Sequence, residues 1–180
     1  FMENWVYHRP VLVKMARHYK TGAPLNSKVI DTLIAARNFG LASSLLSSVS
    51  WSLIDLDIHH RLDPQKSPTE VAHQIRNRIN HLPPLPEDRF LCSFQHLFNG
   101  GYAAGYYSYL WADVLSADVF EAFEEIFHQS PEKLQEMGQR FKDTILSKGG
   151  GRHPMDLFMD FRGRKPSPKS LLRRTEKVVG

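Results

Sequence analysis

Apolar residues recur at intervals of three or four positions along most of the chain, which is the spacing of an amphipathic helix. Residues 41–61 show the pattern well, with apolar side chains at Leu45, Leu46, Val49, Leu53 and Leu56. Alternation of apolar and polar residues, the signature of a half-buried strand, is not convincing anywhere in the sequence. We therefore predict an all-α chain of about eight helices without internal repeats.

Glycine, proline and capping residues divide this pattern into separate helices. Pro10 can stand in the first turn of a helix, so we expect a break near His8 and Arg9. Three prolines between His81 and Arg89 predict a loop. The predicted helices span residues 2–19 with that break, 26–39, 41–61, 67–82, 102–128, 130–147 and 153–161, and a short last helix contains Leu171 and Leu172.

The most biased stretch runs from Phe94 to Phe120 and holds a histidine, a Gly-Gly pair and four tyrosines within eight residues. On a helix beginning at Tyr102, three of the tyrosines (Tyr102, Tyr106 and Tyr109) fall on one face at i, i+4 and i+7. Tyr107 falls on a neighbouring, mainly apolar stripe and is interpreted as packing. Such a helix is expected to be buried on most sides, and buried hydroxyls need partners. The spacing alone favours tyrosines that belong to the core over tyrosines that form a site.

Length, composition and charge exclude several classes of protein. With 180 residues the chain is long enough for a domain with a core, and 42% hydrophobic with 23% charged residues is ordinary globular composition. The net charge of +4 is not gathered into a basic patch, which argues against nucleic-acid binding. Cys92 is the single cysteine, so the chain has no internal disulfide. Residues 38–54 are uncharged but rich in serine, too short and polar for a membrane span.

Two familiar kinds of site are not predicted. The nine histidines include no HExxH pair, and His59 with His60 cannot both face one ion from a helix. The sequence Asn99-Gly100-Gly101 lacks the lysine and hydroxyl residue of a phosphate-binding loop. Arg162, Arg164 and Lys165 are interpreted as a solvated basic turn.

His96 with the three aligned tyrosines remains as candidate chemistry. Phenol and imidazole donors can stabilise a developing oxyanion. Gly100 and Gly101 allow a peptide backbone to approach closely. The set contains no nucleophile and no group that would activate water, so by itself it is half of an active site.

Five stretches, in order along the chain, are similar to the oligopeptidase A and thimet oligopeptidase family of zinc metallopeptidases, most closely to the oligopeptidase A branch. They are residues 1–5 (FMENW), 95–120 (QHLFNGGYAAGYYSYLWADVLSADVF), 145–150 (ILSKGG), 155–158 (MDLF) and 161–166 (FRGRKP). The resemblance implies a helical, zincin-like fold with a deep channel for short peptides. It also implies that His96, Tyr102, Tyr106 and Tyr109 are catalytic residues that hold the substrate backbone and stabilise the tetrahedral intermediate, and that Gly100 and Gly101 bind substrate.

In the family, zinc is held by the two histidines of an HExxH helix and by a later glutamate. Neither element is present, and alignment on FMENW places Glu3 after that glutamate, so no zinc ligand is expected here. We therefore expect residues 1–180 to be the C-terminal segment of the catalytic domain, with the remaining N-terminal part of the protein and short peptides as partners, and neither nucleic acid nor a membrane.

The expected function is zinc-dependent hydrolysis of short oligopeptides by the full-length protein, with this chain inactive alone. The alternative is a non-catalytic helical fragment that binds peptides or a partner. The expected compartment is the cytoplasm, with the mitochondrion or the plastid as alternatives.

Overall fold

A computed structural model describes residues 1–61 and 63–176, the last three by their backbone alone. Its α-helices are α1 (Glu3–Tyr7), α2 (Arg9–Met15), α3 (Ser27–Asn38), α4 (Leu41–His60), α5 (Pro68–Ile79), α6 (Ser108–Ile126), α7 (Pro131–Phe141), α8 (Pro154–Arg162) and α9 (Lys169–Glu176). Two 3₁₀ turns (Phe90–Ser93 and Gln95–Leu97) precede α6, and a π turn (Lys142–Leu146) follows α7. Strands are absent from the described ranges, where an isolated bridge joins Arg17 and Pro24, so the all-α class is confirmed.

Side chains cap two helices at their predicted starts, residues 26 and 67. The Asn26 side chain accepts a hydrogen bond from the Lys28 N–H at the start of α3. At the start of α5, the Ser67 hydroxyl accepts from the Glu70 N–H while the Glu70 carboxylate accepts from the Ser67 N–H. This reciprocal capping box satisfies two donors that a helix N-terminus leaves unpaired.

The predicted break near His8 is confirmed, because His8 is extended (ψ 112°) between α1 and α2. The predicted end at Tyr19 is wrong, since α2 ends at Met15. Backbone hydrogen bonds from His18 to Ala23 and from Leu25 to Ala16 form a short hairpin after it. Their pairing replaces the last helical turn that the sequence pattern predicts.

The chain packs as two compact units. We call residues 40–112 the middle unit and residues 1–39 with 113–180 the terminal unit. The predicted assignment of the whole chain to one segment of a catalytic domain, and the predicted channel, stay predictions.

The core of the middle unit lies between α4, α5 and the two 3₁₀ turns. Its buried residues are Trp51, Ile54, Val71, Ala72, Ile75, Leu91 and Leu97. Two serines of α4, Ser50 and Ser52, are also buried, and their hydroxyls donate to carbonyls of the same helix. These small, internally paired side chains are compatible with close packing of α4.

The core of the terminal unit is aromatic, and a charged network stands beside it. Its buried residues are Val119, Ala122, Phe123, Phe141, Phe158 and Phe161. Asp118, fully buried, accepts hydrogen bonds from Arg162 (3.0 Å), from Arg164 (2.6 and 2.7 Å) and from the Ser167 N–H (2.9 Å). The prediction of a solvated basic turn is wrong for Arg162, whose side chain is only 9% exposed and paired with a buried carboxylate. Arg164 is paired with the same carboxylate but is 42% exposed, and Lys165 is exposed, as predicted.

Within the described residues, one stretch, Ser27–His60, reaches the length and mean hydropathy (1.3) of a membrane span. It consists of two helices, α3 and α4, separated at Gly40, whose φ of +69° ends the right-handed helical path. A core helix of a soluble protein passes the same test. The expectation of no membrane partner stays a prediction.

Candidate functional site

Residues 100–107, which we call the tyrosine turn, form consecutive turns rather than helix. The predicted helix start at Tyr102 is therefore wrong, because α6 begins at Ser108. The backbone takes positive φ at Gly100 (71°), Gly101 (78°) and Ala104 (54°). A positive φ interrupts a right-handed helix and costs a non-glycine residue about 1–2 kcal/mol. Tyr102 and Tyr106 consequently do not share a helical face with Tyr109.

Asp55 of α4 ties the tyrosine turn to the middle unit. Its carboxylate is fully buried, with Oδ1 accepting a hydrogen bond from the Ala104 N–H (3.0 Å) and Oδ2 from the Tyr106 N–H (2.9 Å). The Nδ1 atom of His59 lies 2.9 Å from Asp55 Oδ1. Both oxygens of a buried carboxylate are thus satisfied, as its burial requires.

Asp55 is not among the predicted site residues, although the pattern of α4 contains a signal for it. Asp55 stands next to Ile54 and four positions after Trp51, on the face of α4 that enters the core. A carboxylate on an apolar helical face needs partners from elsewhere in the fold. The contact between His59 and Asp55 is likewise not among the sequence-based expectations.

Two glycines fit the tyrosine turn for steric reasons. At Gly105, a Cβ atom would lie 3.2 Å from the carbonyl oxygen of Tyr102, tighter than an ordinary contact with backbone. At Gly100, a Cβ would lie 3.4 Å from the Tyr102 ring, and the positive φ disfavours any other residue. Gly100 and Gly101, both predicted to bind substrate, are exposed.

The four predicted catalytic residues converge through their rings. His96 contacts Tyr102 and Tyr109 edge to face, with centroids 6.0 and 6.2 Å apart. The rings of Tyr102 and Tyr109 stack at 5.9 Å, and Tyr106 lies 5.3 Å from Tyr109. The structure therefore brings the predicted set together, but through a turn, a 3₁₀ segment and the first turn of α6 rather than through one helical face.

Phe94 joins this ring cluster to the core of the middle unit. Its centroid is 4.9 Å from Trp51, 5.4 Å from Tyr106 and 5.7 Å from His96. The neighbouring Leu97 is fully buried. The short segment that carries His96 is thus held by apolar side chains that precede and follow His96 in the sequence.

The proline-rich loop before this segment is fastened at Asp88. The Asp88 carboxylate accepts from Arg76 of α5 (2.6 Å) and from the Phe90 N–H (2.7 Å). The hydrogen bond from Phe90, followed by that from Arg76, lowers the pKa of Asp88 below its usual value. The loop predicted for residues 81–89 is confirmed, and it leads directly into the two 3₁₀ turns.

The phenols are more exposed than the sequence predicts. Tyr102 is 39% exposed and Tyr109 42%, so the expectation of a helix buried on most sides is wrong here. Tyr107, interpreted as a packing residue, is 51% exposed in this chain. Tyr102, Tyr107 and Tyr109 therefore lie at a surface, whereas Tyr106 is partly buried against the core of the middle unit.

Tyr106 and Tyr109 have raised pKa values. Hydrogen bonding with Tyr102, followed by desolvation, raises the pKa of Tyr109 above the usual tyrosine value. Burial raises the pKa of Tyr106. Each phenol thus stays an O–H donor at neutral pH, which is the form needed to bind a developing negative charge.

The described part of the chain contains no group of three or more His, Cys, Asp or Glu side chains that could hold a metal ion. Several histidines have other partners within the middle unit. His59 contacts Asp55, and the Nε2 atom of His73 lies 3.0 Å from the Asp88 carbonyl oxygen. The residues present do not fit a zinc centre.

Comparison with known proteins gives a consistent result along the whole chain. The sequence model of Peptidase family M3 matches residues 1–177. Similar proteins include the probable cytosolic oligopeptidase A of Arabidopsis thaliana (50% identical over 175 residues) and the organellar oligopeptidase A, chloroplastic/mitochondrial, of the same plant (50% identical over 175 residues). Oligopeptidase A of Escherichia coli is 43% identical over 176 residues. Each alignment covers 96% of this chain but only 22–25% of the relative, so the chain spans about a quarter of the length of these curated relatives.

Proposed function

The chain belongs to Peptidase family M3, and from this premise we propose that it is the C-terminal, substrate-binding segment of a zinc-dependent oligopeptidase that hydrolyses short peptides. The observation that carries the proposal is the convergence of His96, Tyr102, Tyr106 and Tyr109 in one ring cluster of the middle unit, with Tyr102 and Tyr109 exposed. Phenol and imidazole groups that share contacts in this way suit a carbonyl oxygen that acquires charge.

The four rings have different roles in this proposal, some in binding the substrate and others in stabilising the oxyanion. Tyr109 and His96 donate hydrogen bonds to the oxyanion of the tetrahedral intermediate. Tyr102, stacked on Tyr109, and Tyr106, beside it, hold the peptide backbone and orient the Tyr109 phenol. Donors fixed in advance stabilise charge without reorganising during the reaction, which is why such arrangements accelerate acyl transfer.

Gly100 and Gly101 supply the approach for the substrate backbone. Both are exposed and have positive φ, a conformation in which a side chain would be strained. A peptide main chain can therefore come within hydrogen-bonding distance of this part of the tyrosine turn.

Zinc is assigned to the part of the full-length protein outside this chain. The described side chains do not form a zinc site. When bound elsewhere in the protein, zinc would supply an activated water for attack on the peptide bond. The residues of this chain bind the substrate and the oxyanion.

Metal analysis and a peptide assay test this division. The full-length protein should contain zinc and cleave an internally quenched peptide of about ten residues, and chelation should abolish cleavage. The isolated chain, checked for helicity by circular dichroism, should hold no stoichiometric zinc after dialysis and cleave nothing. Stoichiometric zinc with cleavage in the isolated chain would contradict the assignment of the metal to the remaining part.

The competing function is peptide or partner binding without cleavage, which the donors alone also support. Here the full-length protein would bind the quenched peptide, measured by fluorescence anisotropy, and leave it intact with or without added zinc.

The relatives' names include a cytosolic and an organellar protein. We propose the cytoplasm for this protein, and fractionation with mitochondrial and plastid markers distinguishes the alternatives.

A further inference from the structure

We propose that Asp55 is a positioning residue of the site, whose buried carboxylate holds the tyrosine turn in the conformation that brings Tyr102 and Tyr106 to His96 and Tyr109. The catalytic consequence of this inference rests on the proposed function. The conformational consequence does not, because it concerns the backbone of the turn alone.

The Asp55 carboxylate lies at a position that suits an apolar side chain. Asp55 is fully buried on the core side of α4, next to Ile54, where an apolar residue would pack without any need for partners. A buried carboxylate is costly unless donors surround it. Two of its donors are backbone N–H groups of the same short turn, Ala104 and Tyr106. The carboxylate therefore recognises the conformation of that turn rather than a side chain.

The tyrosine turn needs an anchor beyond its neighbours in the sequence. Ala104 has a positive φ of 54°, which an alanine adopts at a cost. Local hydrogen bonds, from Gly105 N to Tyr102 O (2.8 Å) and from Ser108 N to Gly105 O (3.0 Å), shape the turn and link it to the start of α6, which follows it directly. They do not connect it to any element distant in the sequence. The bonds to Asp55 reach 49 and 51 positions back along the chain and connect the turn to α4.

Asp55 binds the tyrosine turn on both sides of its tightest step. The two N–H groups that Asp55 binds belong to Ala104 and Tyr106, so they enclose Gly105. Gly105 is also the residue at which a Cβ would meet the Tyr102 carbonyl at 3.2 Å. Loss of the anchor would therefore release both ends of this tight step, and with them the Tyr102 and Tyr106 rings.

Amide hydrogen exchange of the unmodified full-length protein is the first test. The Ala104 and Tyr106 amides should exchange at least tenfold more slowly than the exposed Gly101 amide, because a buried carboxylate holds them. Equal exchange of all three amides would overturn the inference without any substitution, and hence without any risk of misfolding.

Substitution of Asp55 by Asn in the full-length protein is the second test, with Asp57→Asn as the matched control two positions along the same helix. Asn keeps the size of the side chain but offers one acceptor oxygen in place of two. We expect faster exchange at Ala104 and Tyr106 and a fall in kcat/KM of about 10–100-fold, since displacing a catalytic group by an ångström has effects of this size. Asp57→Asn should leave both quantities within about twofold.

A double-variant cycle separates positioning from a general loss of folded protein. If Asp55 acts through the turn, Tyr106→Phe should lower kcat/KM by at most about twofold in the Asp55→Asn background, although it lowers kcat/KM further in the unmodified protein. A double variant whose loss of kcat/KM equals the product of the two single losses would contradict the inference. If the unmodified protein cleaves no peptide, the proposed function fails, and the exchange measurements still decide the role of Asp55.

Discussion

Replacement of Tyr109 by Phe removes one hydroxyl from the site and little else. The ring would keep its stack on Tyr102 at 5.9 Å and its contact with Tyr106 at 5.3 Å. Because the side chain is 42% exposed, the lost hydroxyl has little buried environment to disturb. We expect the stability of the protein to change by no more than about 0.5 kcal/mol.

The effect on catalysis should be much larger. Removal of one oxyanion donor typically lowers kcat by about 10²–10³, or about 2.7–4 kcal/mol of transition-state stabilisation. The raised pKa of Tyr109, caused first by its hydrogen bond with Tyr102, keeps the donor proton in place at neutral pH. Since the proposed interaction with Tyr109 forms only in the transition state, KM should change far less than kcat.

The assay is steady-state cleavage of a quenched peptide by the full-length protein, with zinc content and thermal unfolding measured in parallel. Tyr107→Phe is the matched control, because Tyr107 is 51% exposed in the same stretch and has no role in the proposed chemistry. It should keep kcat within about twofold. An unchanged kcat in Tyr109→Phe, or an equal loss in both variants, would refute the role given to Tyr109.

Two further predictions concern the buried charge and the phenols. Asp118→Asn leaves the buried Arg162 with an incomplete partner and should destabilise the protein by about 3–5 kcal/mol in chemical denaturation, whereas Glu125→Gln, whose carboxylate is 57% exposed, should cost no more than about 1 kcal/mol. Equal losses would show that burial does not set the cost. Tyr106 and Tyr109 should ionise above the ordinary tyrosine pKa of about 10, so their contribution to stability is complete below that pH and is lost as pH rises through the raised pKa. In an ultraviolet titration, the absorbance change at the highest pH should be smaller in the Tyr106→Phe and Tyr109→Phe variants than in the unmodified protein. An unchanged curve would contradict the assignment.

Features that depend on neighbouring residues were predictable. Fewer than five consecutive residues specify the capping box of Ser67 and Glu70, and the same holds for the break at His8. The structure has both. The membership of His96 and Tyr109 in one cluster was also predicted, from a motif and an assumed helix. The cluster exists, but the assumed helix does not cover Tyr102 or Tyr106. The periodicity of apolar residues predicts which face of a helix is buried. It carries no information on whether the backbone turns at Ala104.

The sequence by itself determined the all-α class, most helix starts and the set of residues that form the candidate site, because caps, prolines and three- to four-residue periodicity act over one or two helical turns. Only the tertiary structure decided how that set is assembled. Asp55 meets Ala104 across 49 positions and Asp118 meets Arg164 across 46, and no local pattern pairs them. A buried carboxylate takes whichever donors the fold brings to it, so its partners exist only once the chain has packed.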